Sequence, residues 1–502
     1  MTRGSGTVGG MSALGLVRLH GDDDVLVAMS DAVSATGVAI PAGHKAAARD
    51  LAVGEPIRKV GLVIGWAKCS IRAGDHVHTH NVSAHGELPP STAVAAAVPA
   101  APGRTFLGIP RADGRFATRN HLLVITTVNC SATVARAVAT EANRELHGMA
   151  GLDGVTALVH ASGCGLPAFG PQIDRLRAVL SGYARNVNTA GVVVLGLGCE
   201  VNQVDSFLEA TGLEPGPELE TVVIQDSGGT RAAIDASLDA IRRIAPRVAT
   251  TERVEVSAAH LTLGLQCGGS DGFSALSANP VLGRASDLLI ADGATILLSE
   301  TPELSGTEEV LVARAENDAV RAKLRALFQW WRQYTAAGGA EMDSNPSPGN
   351  QAGGITNIVE KSVGAAAKGG STAVRDVIGY AMAPTTNGLV VMDTPGYDPA
   401  SVTGQVAGGA NLICFTTGRG SCFGSKPAPT VKLSTTTQLY QRMRDDIDLD
   451  CGGVITGEYT VERRGEDLAD LLCRVASGEP TCSEVLGYGD EEFTPWLDGV
   501  TM

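Results

Sequence analysis

The chain has 502 residues, 44% hydrophobic and 19% charged, with 62 glycines, 4% aromatics and a formal net charge of −15. That size holds two to four domains, each with its own core. The negative balance argues against wholesale binding to nucleic acid or anionic membranes, so an anionic ligand must meet a local patch of Arg, Lys or metal.

No apolar run approaches the roughly 20 residues of a membrane span. The first ten residues, MTRGSGTVGG, lack the apolar centre of a signal peptide, so a cytoplasmic protein is expected. Ten cysteines are spread singly with no CxxC pair, which points to free thiols or metal ligands and away from a disulfide framework.

Patterned sequence starts just after Met11, an alternative start, and a first domain is drawn over 11–85. Residues 14–84 alternate short β-type runs (LGLVRLH, DDVLVAMS, KVGLVIGWA) with turn residues, as a small all-β module does. It contains Gly43-His44-Lys45 and Gly74-Asp75-His76-Val77-His78-Thr79-His80-Asn81. On a strand, His76, His78 and His80 share a face, as a metal or acid/base cluster or as a solvent-facing polar strand. Residues 86–104 are rich in Ala and Pro without periodicity and read as a semi-extended linker.

The second domain is drawn over 105–258. Arg111, Arg115, Arg119 and Asn120 crowd its start, either to seat an acid substrate through two-pronged guanidinium contacts or to form an interdomain salt-bridge set. Strand-type runs HLLVITTV, GVTALVH, GVVVLGLG and TVVIQDSGG then alternate with helical stretches, which predicts a parallel sheet covered on both faces. Ligands gather beyond the carboxyl ends of such strands, where Cys130, His160, Cys164, Cys199 and Glu200 fall. Gly196–Val201 has Val where a dinucleotide fingerprint needs its third Gly or Ala, and Val363–Thr372 lacks the P-loop order. The sheet is a scaffold, not a nucleotide site.

The third domain, 259–502, opens with an apolar run ending in Cys267-Gly268-Gly269-Ser270-Asp271-Gly272, passes Asn279-Pro280, and reaches a second run ending in Glu300-Thr301-Pro302-Glu303. Two buried-type strands that stop in glycine and chemistry-bearing residues mark a candidate site. Asp343–Gly370 is a polar, Gly-rich stretch with Asn345, Asn350, Lys361 and Lys368, an active-site lid or plain coil. Arg419, between glycines after another strand-type run, is placed to hold a carboxylate or to serve structure. Asp446–Gly457 fails as an EF-hand, because its Gly is one position late and Gly457 stands where the loop's final Glu belongs.

CGGSDG followed by ANP and SETPE resembles the catalytic core of the altronate and galactarate dehydratase family. The likeness continues through His76–Asn81, Arg111–Cys130, Gly196–Gln203, Asn345–Lys361 and Phe415–Gly424, and so covers nearly the whole chain. It implies an α/β protein with a small N-terminal β-clip (SAF-like) domain, a Rossmann-like parallel-sheet domain and a larger C-terminal α/β domain. It implies a metal-dependent hydro-lyase that removes the α-proton of a sugar acid and expels the β-hydroxyl, giving a 2-keto-3-deoxy acid. Ferrous iron is the metal implied, with Mn²⁺ as a substitute.

The expected catalytic residues are His78, His80, Lys361 and Asp271. Substrate contacts are expected from Arg115, Arg119, Asn120, Ser270, Asn345, Asn350 and Arg419. The expected metal ligands are His78, His80, Cys164, Cys199, Cys267 and Glu300. Cys130, Cys164, Cys199 and Cys267 either hold iron, including as an iron–sulfur cluster, or are small residues beside glycine. Arg185-Asn186-Val187-Asn188 departs from the family's His-Pro-Asn and leaves the substrate open. A sulfo-lyase acting on a sulfonated hydroxy acid and a non-catalytic sugar-acid-binding protein are the competing readings. The partner expected is a small-molecule sugar acid, with a homodimer as the assembly.

Overall fold

A computed structural model describes residues 15–86, 93–98 and 103–497. Met11 and the linker positions 87–92 and 99–102 lie outside the described residues. The N-terminal module is all antiparallel. One sheet runs in the order Leu16–Val17, Val25–Ala28, Lys45–Ala47, His76–Val77, and another joins Pro56–Lys59, Leu62–Ala67 and Val82–Ser83. Its core is small, built on Val25, Leu51, Ile57, Ile64, Ile71 and Val77.

The second unit carries the predicted parallel sheet. Its strands are β1 (His121–Thr126), β2 (Gly154–Leu158), β3 (Thr189–Gly196) and β4 (Leu219–Val223), in the order β2-β1-β3-β4. Helix α1 (Ala132–Glu145) and the helix Thr230–Val248 cover one face, while α2 (Pro171–Arg185) packs on the other. The apolar runs read as strands because side chains on both faces are buried, the condition of a parallel sheet sandwiched by helices.

The C-terminal unit holds a seven-stranded sheet, parallel throughout. Its strands are β5 (Thr262–Cys267), β6 (Thr295–Leu298), β7 (Val374–Ile378), β8 (Gly388–Met392), β9 (Leu412–Thr417), β10 (Thr430–Ser434) and β11 (Leu449–Asp450). The order is β7-β8-β6-β5-β9-β10-β11. Helices α3 (Ala278–Ala291), α4 (Pro348–Ala352), α5 (Ile358–Ala367), α6 (Asp398–Ala407) and α7 (Val461–Ala476) complete the parts used below. A three-stranded antiparallel patch, Phe116–Ala117 with Thr105–Pro110 and Val254–Ser257, borders the second and third units. Helix α2 packs on α6, where Asn186 Nδ2 donates to the carbonyls of Val406 and Ala410.

The N-terminal module is docked on the C-terminal unit through buried charge and bare backbone. Lys45 and Lys59, almost wholly buried, each place Nζ 2.9–3.0 Å from the Glu360 carboxylate on α5. Lys45 Nζ also donates to Gly354 O at 2.6 Å and Lys59 Nζ to Gly272 O at 3.0 Å. Burial pulls the Lys45 pKa down to about 8 against the pull of Glu360. Burial opposes ionisation of Glu360, but the two ammoniums overcome it and hold the carboxyl well below the usual range. Gly43, Gly272 and Gly354 meet here, and a Cβ on Gly272 or Gly354 would run into the Gly43 carbonyl. Gly43 and Gly354 have φ of +79° and +102°, so glycine answers both the space and the backbone there. Past the module, the Ala96 amide donates to Ser371 O at 2.8 Å. That part of the expected linker lies along the C-terminal unit.

Candidate active site

Adjacent parallel strands deliver their carboxyl ends to one place. β5 ends in Cys267, β6 leads to Glu300 and Glu303, β8 leads to Asp398 at the start of α6, and β9 leads to Arg419. Glu300 is fully buried with φ +62°, a conformation non-glycine residues adopt rarely and at a cost of about 1–3 kcal/mol. Its amide donates to Thr394 Oγ1 at 2.8 Å and its Oε2 accepts from the Cys267 amide at 3.1 Å. Its Oε1 is buried without a hydrogen-bond partner. A strained backbone that aims an unfilled carboxylate oxygen into a cluster of ionisable groups is the mark of a working site.

Two ammoniums face two carboxylates here. Lys368 Nζ lies 2.8 Å from Glu300 Oε2 and 2.9 Å from Cys267 Sγ, with both ion-pair side chains fully buried. Lys361 Nζ lies 2.7 Å from Glu303 Oε1 and donates to Asn345 Oδ1 at 2.9 Å. Burial works against the charge on both lysines, but Cys267 and Glu300 beside Lys368, and Glu303 beside Lys361, outweigh it and raise their pKa values. Burial, reinforced by Glu300 and opposed by Lys368, raises the Cys267 pKa. Burial likewise raises Glu300, opposed by Lys368. Asp398, nearly buried against the same carboxylates, has its pKa pushed up to about 7 by burial and by Glu300 and Glu303. Its Oδ1 accepts from Gln266 Nε2 at 3.4 Å.

A chain of polar contacts leads from this cluster to the N-terminal module. Asn345 Nδ2 donates to Glu303 Oε1 at 3.0 Å, Ser347 and Asn350 cap α4, and Asn350 Nδ2 donates to Ser270 O at 2.9 Å. The next two carbonyls, Gln351 and Ala352, meet histidines. His78 Nε2 donates to Gln351 O at 2.9 Å and His44 Nε2 to Ala352 O at 3.3 Å. His44 Nδ1 lies 3.0 Å from His76 Nε2. The triad is therefore His44, His76 and His78, with one nitrogen from each within 4.8 Å of the others. Burial lowers all three, taking His76 and His78 to about 4, so they are neutral at neutral pH.

Two groupings offer a metal donor set among the described residues: these three histidines, and Cys267 with Glu300 and Glu303. The second does not fit an ion well, because the Lys368 ammonium already sits between Cys267 and Glu300. The first fits better. Its imidazoles are neutral, as ligation requires, and nitrogens 3.0 Å apart match neighbours at about 2.1 Å from one ion at a right angle. His78 has both nitrogens engaged, Nδ1 accepting from the Thr79 amide at 2.6 Å and Nε2 donating to Gln351 O, so to ligate through Nε2 it would have to move its proton to Nδ1 and release the Thr79 amide as well as Gln351 O.

Several expected residues stand elsewhere. The strand ends at Val77 and a turn follows, which leaves His80 exposed, its ring 5.8 Å from that of His76, while His44 takes the third place. Arg115 is exposed and paired with Asp113. Arg119 spends all five guanidinium hydrogens on Glu484 and the carbonyls of Thr118, Val475 and Glu479, and has none for a substrate. Asn120 ties the Gly151 and Val248 carbonyls together. Asp271 is buried with both oxygens occupied by Phe273 N, Ser274 Oγ and Thr435 Oγ1, so it anchors loops. Cys164 and Cys199 are exposed beyond the second unit's sheet while Cys267 is buried, and among the described residues the close donor group that holds Cys267 contains Glu300 and Glu303 and no other cysteine. Ser270, Asn345, Asn350, Lys361, Cys267 and Glu300 do come together, with exposed Arg419 beside them, its amide on Gly269 O at 2.8 Å. His44, Glu303, Lys368 and Asp398 were missed as site residues, although Glu303 stood three residues after Glu300.

Three family descriptions tile the chain: Altronate/galactarate dehydratase SAF domain over 14–85, D-galactarate dehydratase/Altronate hydrolase, second domain over 108–249, and D-galactarate/Altronate dehydratase, C-terminal over 258–501. An altronate dehydratase of Escherichia coli (strain K12) is 33% identical over 97% of this chain and 99% of its own. The chain belongs to the altronate and galactarate dehydratase family. A galactarate dehydratase (L-threo-forming) of the same organism is 34% identical over 92% of this chain and 93% of its own. The (2R)-sulfolactate sulfo-lyase subunit beta of Chromohalobacter salexigens is 33% identical over 78% of this chain and 97% of its own. By its family this dehydratase-family chain is a hydro-lyase, and none of its described helices is long and apolar enough to cross a membrane.

Proposed function

We propose that the protein dehydrates a sugar acid of the altronate or galactarate type to the 2-keto-3-deoxy acid. The observation that carries this reading is the buried cluster of Glu300, Glu303, Lys361, Lys368 and Asp398 at the carboxyl ends of adjacent parallel strands. Removing a proton α to a carboxylate builds negative charge on an enediolate, and hydroxide leaves only with a proton. Lys361, at the edge of the cluster with Asn345, offsets that charge where it develops. The raised pKa of Lys361 makes it an ammonium at rest, so its role is electrostatic and not that of the base. Asp398, titrating near pH 7, exchanges the proton. Arg419 holds a substrate carboxylate at the rim.

His44, His76 and His78 would hold the ferrous ion. When bound, it supplies a Lewis acid that polarises the substrate's carboxylate or hydroxyl. Elimination of sulfite from a sulfonated hydroxy acid is the second reading, supported by the sulfo-lyase relative. The test is a panel of aldonic, aldaric and sulfonated hydroxy acids, assayed anaerobically with Fe²⁺ for 2-keto acid and for sulfite. Formation of 2-keto acid without sulfite supports the dehydratase reading. Sulfite release supports the second, and neither product from any acid overturns both.

A further inference from the structure

Three free cysteines of the second unit share an unusual setting. Cysteine is among the residues most often buried, yet Cys130, Cys164 and Cys199 are all exposed. Each follows the carboxyl end of a different strand: Cys130 after β1, Cys164 after β2 and Cys199 after β3. Those strands are neighbours in the order β2-β1-β3, so their ends span about 10 Å at about 4.8 Å per strand. This edge is where doubly wound sheets receive ligands.

The three loops are tied to each other next to each cysteine. Beside Cys130, the Asn129 amide donates to Ser162 O at 2.9 Å and Asn129 Nδ2 to His160 O at 3.0 Å. Beside Cys164, Gly163 O accepts from the Asn202 amide at 3.0 Å, and a Cβ on Gly163 would collide with the Thr127 carbonyl. Beside Cys199, Glu200 Oε1 accepts from Thr127 Oγ1 at 2.6 Å and Glu200 gathers the amides of Leu197 and Gly198. The loops thus present three thiols from one braced edge. A cleft of about 450 Å³, lined by Asn129, His160, Ser162 and Cys164, opens alongside.

Among the described residues these thiols do not gather within 4.8 Å of one another as ligands of a single ion do. Their spread suits a larger inorganic body, and thiolates from separate loops are how iron–sulfur clusters are held. We propose that Cys130, Cys164 and Cys199 are the protein ligands of a cubane iron–sulfur cluster on this edge, with one iron left to a non-protein ligand. As three iron–sulfur bonds form, the three thiols release their protons. Equal amounts of ferrous and ferric iron with sulfide supply the cluster without net oxidation. This site uses none of the residues of the histidine triad and does not rest on which acid the enzyme uses.

The experiment reconstitutes the full chain anaerobically with ferrous and ferric salts and sulfide, then desalts it. About four acid-labile sulfides per chain are expected for a cubane, with about four irons beyond the ferrous ion proposed for the histidine triad, and a visible charge-transfer band. Cys130→Ser, Cys164→Ser and Cys199→Ser should each abolish the retained sulfide, whereas Cys69→Ser, an exposed cysteine of the other module, should not. Alkylation mapped by mass spectrometry on the unmutated chain provides a reading free of folding defects. All three cysteines should be shielded after reconstitution and open after chelation, with Cys69 open throughout. Iron without labile sulfide, no retained iron, or labelling of the three that reconstitution does not change would each overturn the assignment.

Discussion

Replacing Glu360 by Gln removes the anion between Lys45 and Lys59 while keeping the side chain's size. Both lysines are almost wholly buried, and Glu360 also accepts from the Thr356 amide at 2.8 Å and Thr356 Oγ1 at 2.7 Å. Breaking a buried pair by deleting one partner costs about 3–5 kcal/mol, because an uncompensated charge remains. Lys45 limits that cost, since its pKa is already down to about 8 and it can shed its proton. The lysine's folded pKa lies below its unfolded value, and Glu360→Gln lowers it further. The folded variant therefore binds fewer protons than the unfolded chain from a lower pH upward, and its stability begins to rise with pH earlier. Its deficit against the parent is largest between about pH 5 and 7, narrows as pH approaches about 8 and stays level above it, and shrinks again below about pH 5, where the parent loses the stability its own Glu360 contributes.

Hydrogen exchange of peptides spanning 45–83 reads this directly, as faster exchange of the docked module by about two to three and a half orders of magnitude at pH 6. Turnover should fall with it, because His44, His76 and His78 meet the catalytic unit only through docking. Unchanged protection at pH 6, or a deficit that grows with pH, would refute the charge argument.

Asp398→Asn should lower kcat by about 10²–10⁴-fold and remove the pH-rate limb near 7; a variant that keeps the limb assigns it to another group. Lys368→Met leaves Glu300 buried without its cation, so denaturant melts should show a loss of about 3–5 kcal/mol, and equal stability would mean Glu300 is protonated at rest. Arg419→Lys keeps charge but loses the planar fork, and kcat/KM should fall by an amount equal to about 1.5–3 kcal/mol; unchanged kinetics would assign Arg419 to structure. His44→Ala should lower bound iron under equilibrium dialysis as much as His78→Ala does, whereas His80→Ala should leave it unchanged.

The strands of the candidate site were readable as strands because Thr262–Cys267 and Thr295–Leu298 are apolar runs that stop abruptly, and the ends of buried parallel strands are where ligands gather. The partners of Cys267 and Glu300 were not readable. Lys368 lies 101 positions from Cys267, and Lys45 lies 315 from Glu360, so only the folded chain joins them. The arginine cluster misled for a physical reason. Several guanidiniums near one another satisfy a substrate or a domain seam equally well in sequence, and Arg119 is consumed by Glu484 and three carbonyls. The histidine face failed by one element: two residues of strand cannot set the side of a residue in the turn beyond it, and His44 comes from the position just before the neighbouring strand Lys45–Ala47.

Gly43, Gly272 and Gly354 press backbone on backbone, so at that point the seam between the module and the C-terminal unit has no side chain to adjust. A seam of that kind has no slack. A single methyl at Gly272 or Gly354 acts as a wedge, and its effect appears as a gap beside the histidines, not as local damage. The three positions therefore behave as one inherited character. Exchanging this module for that of a relative should yield a working chimera only when all three glycines travel with the graft or already wait at the seam.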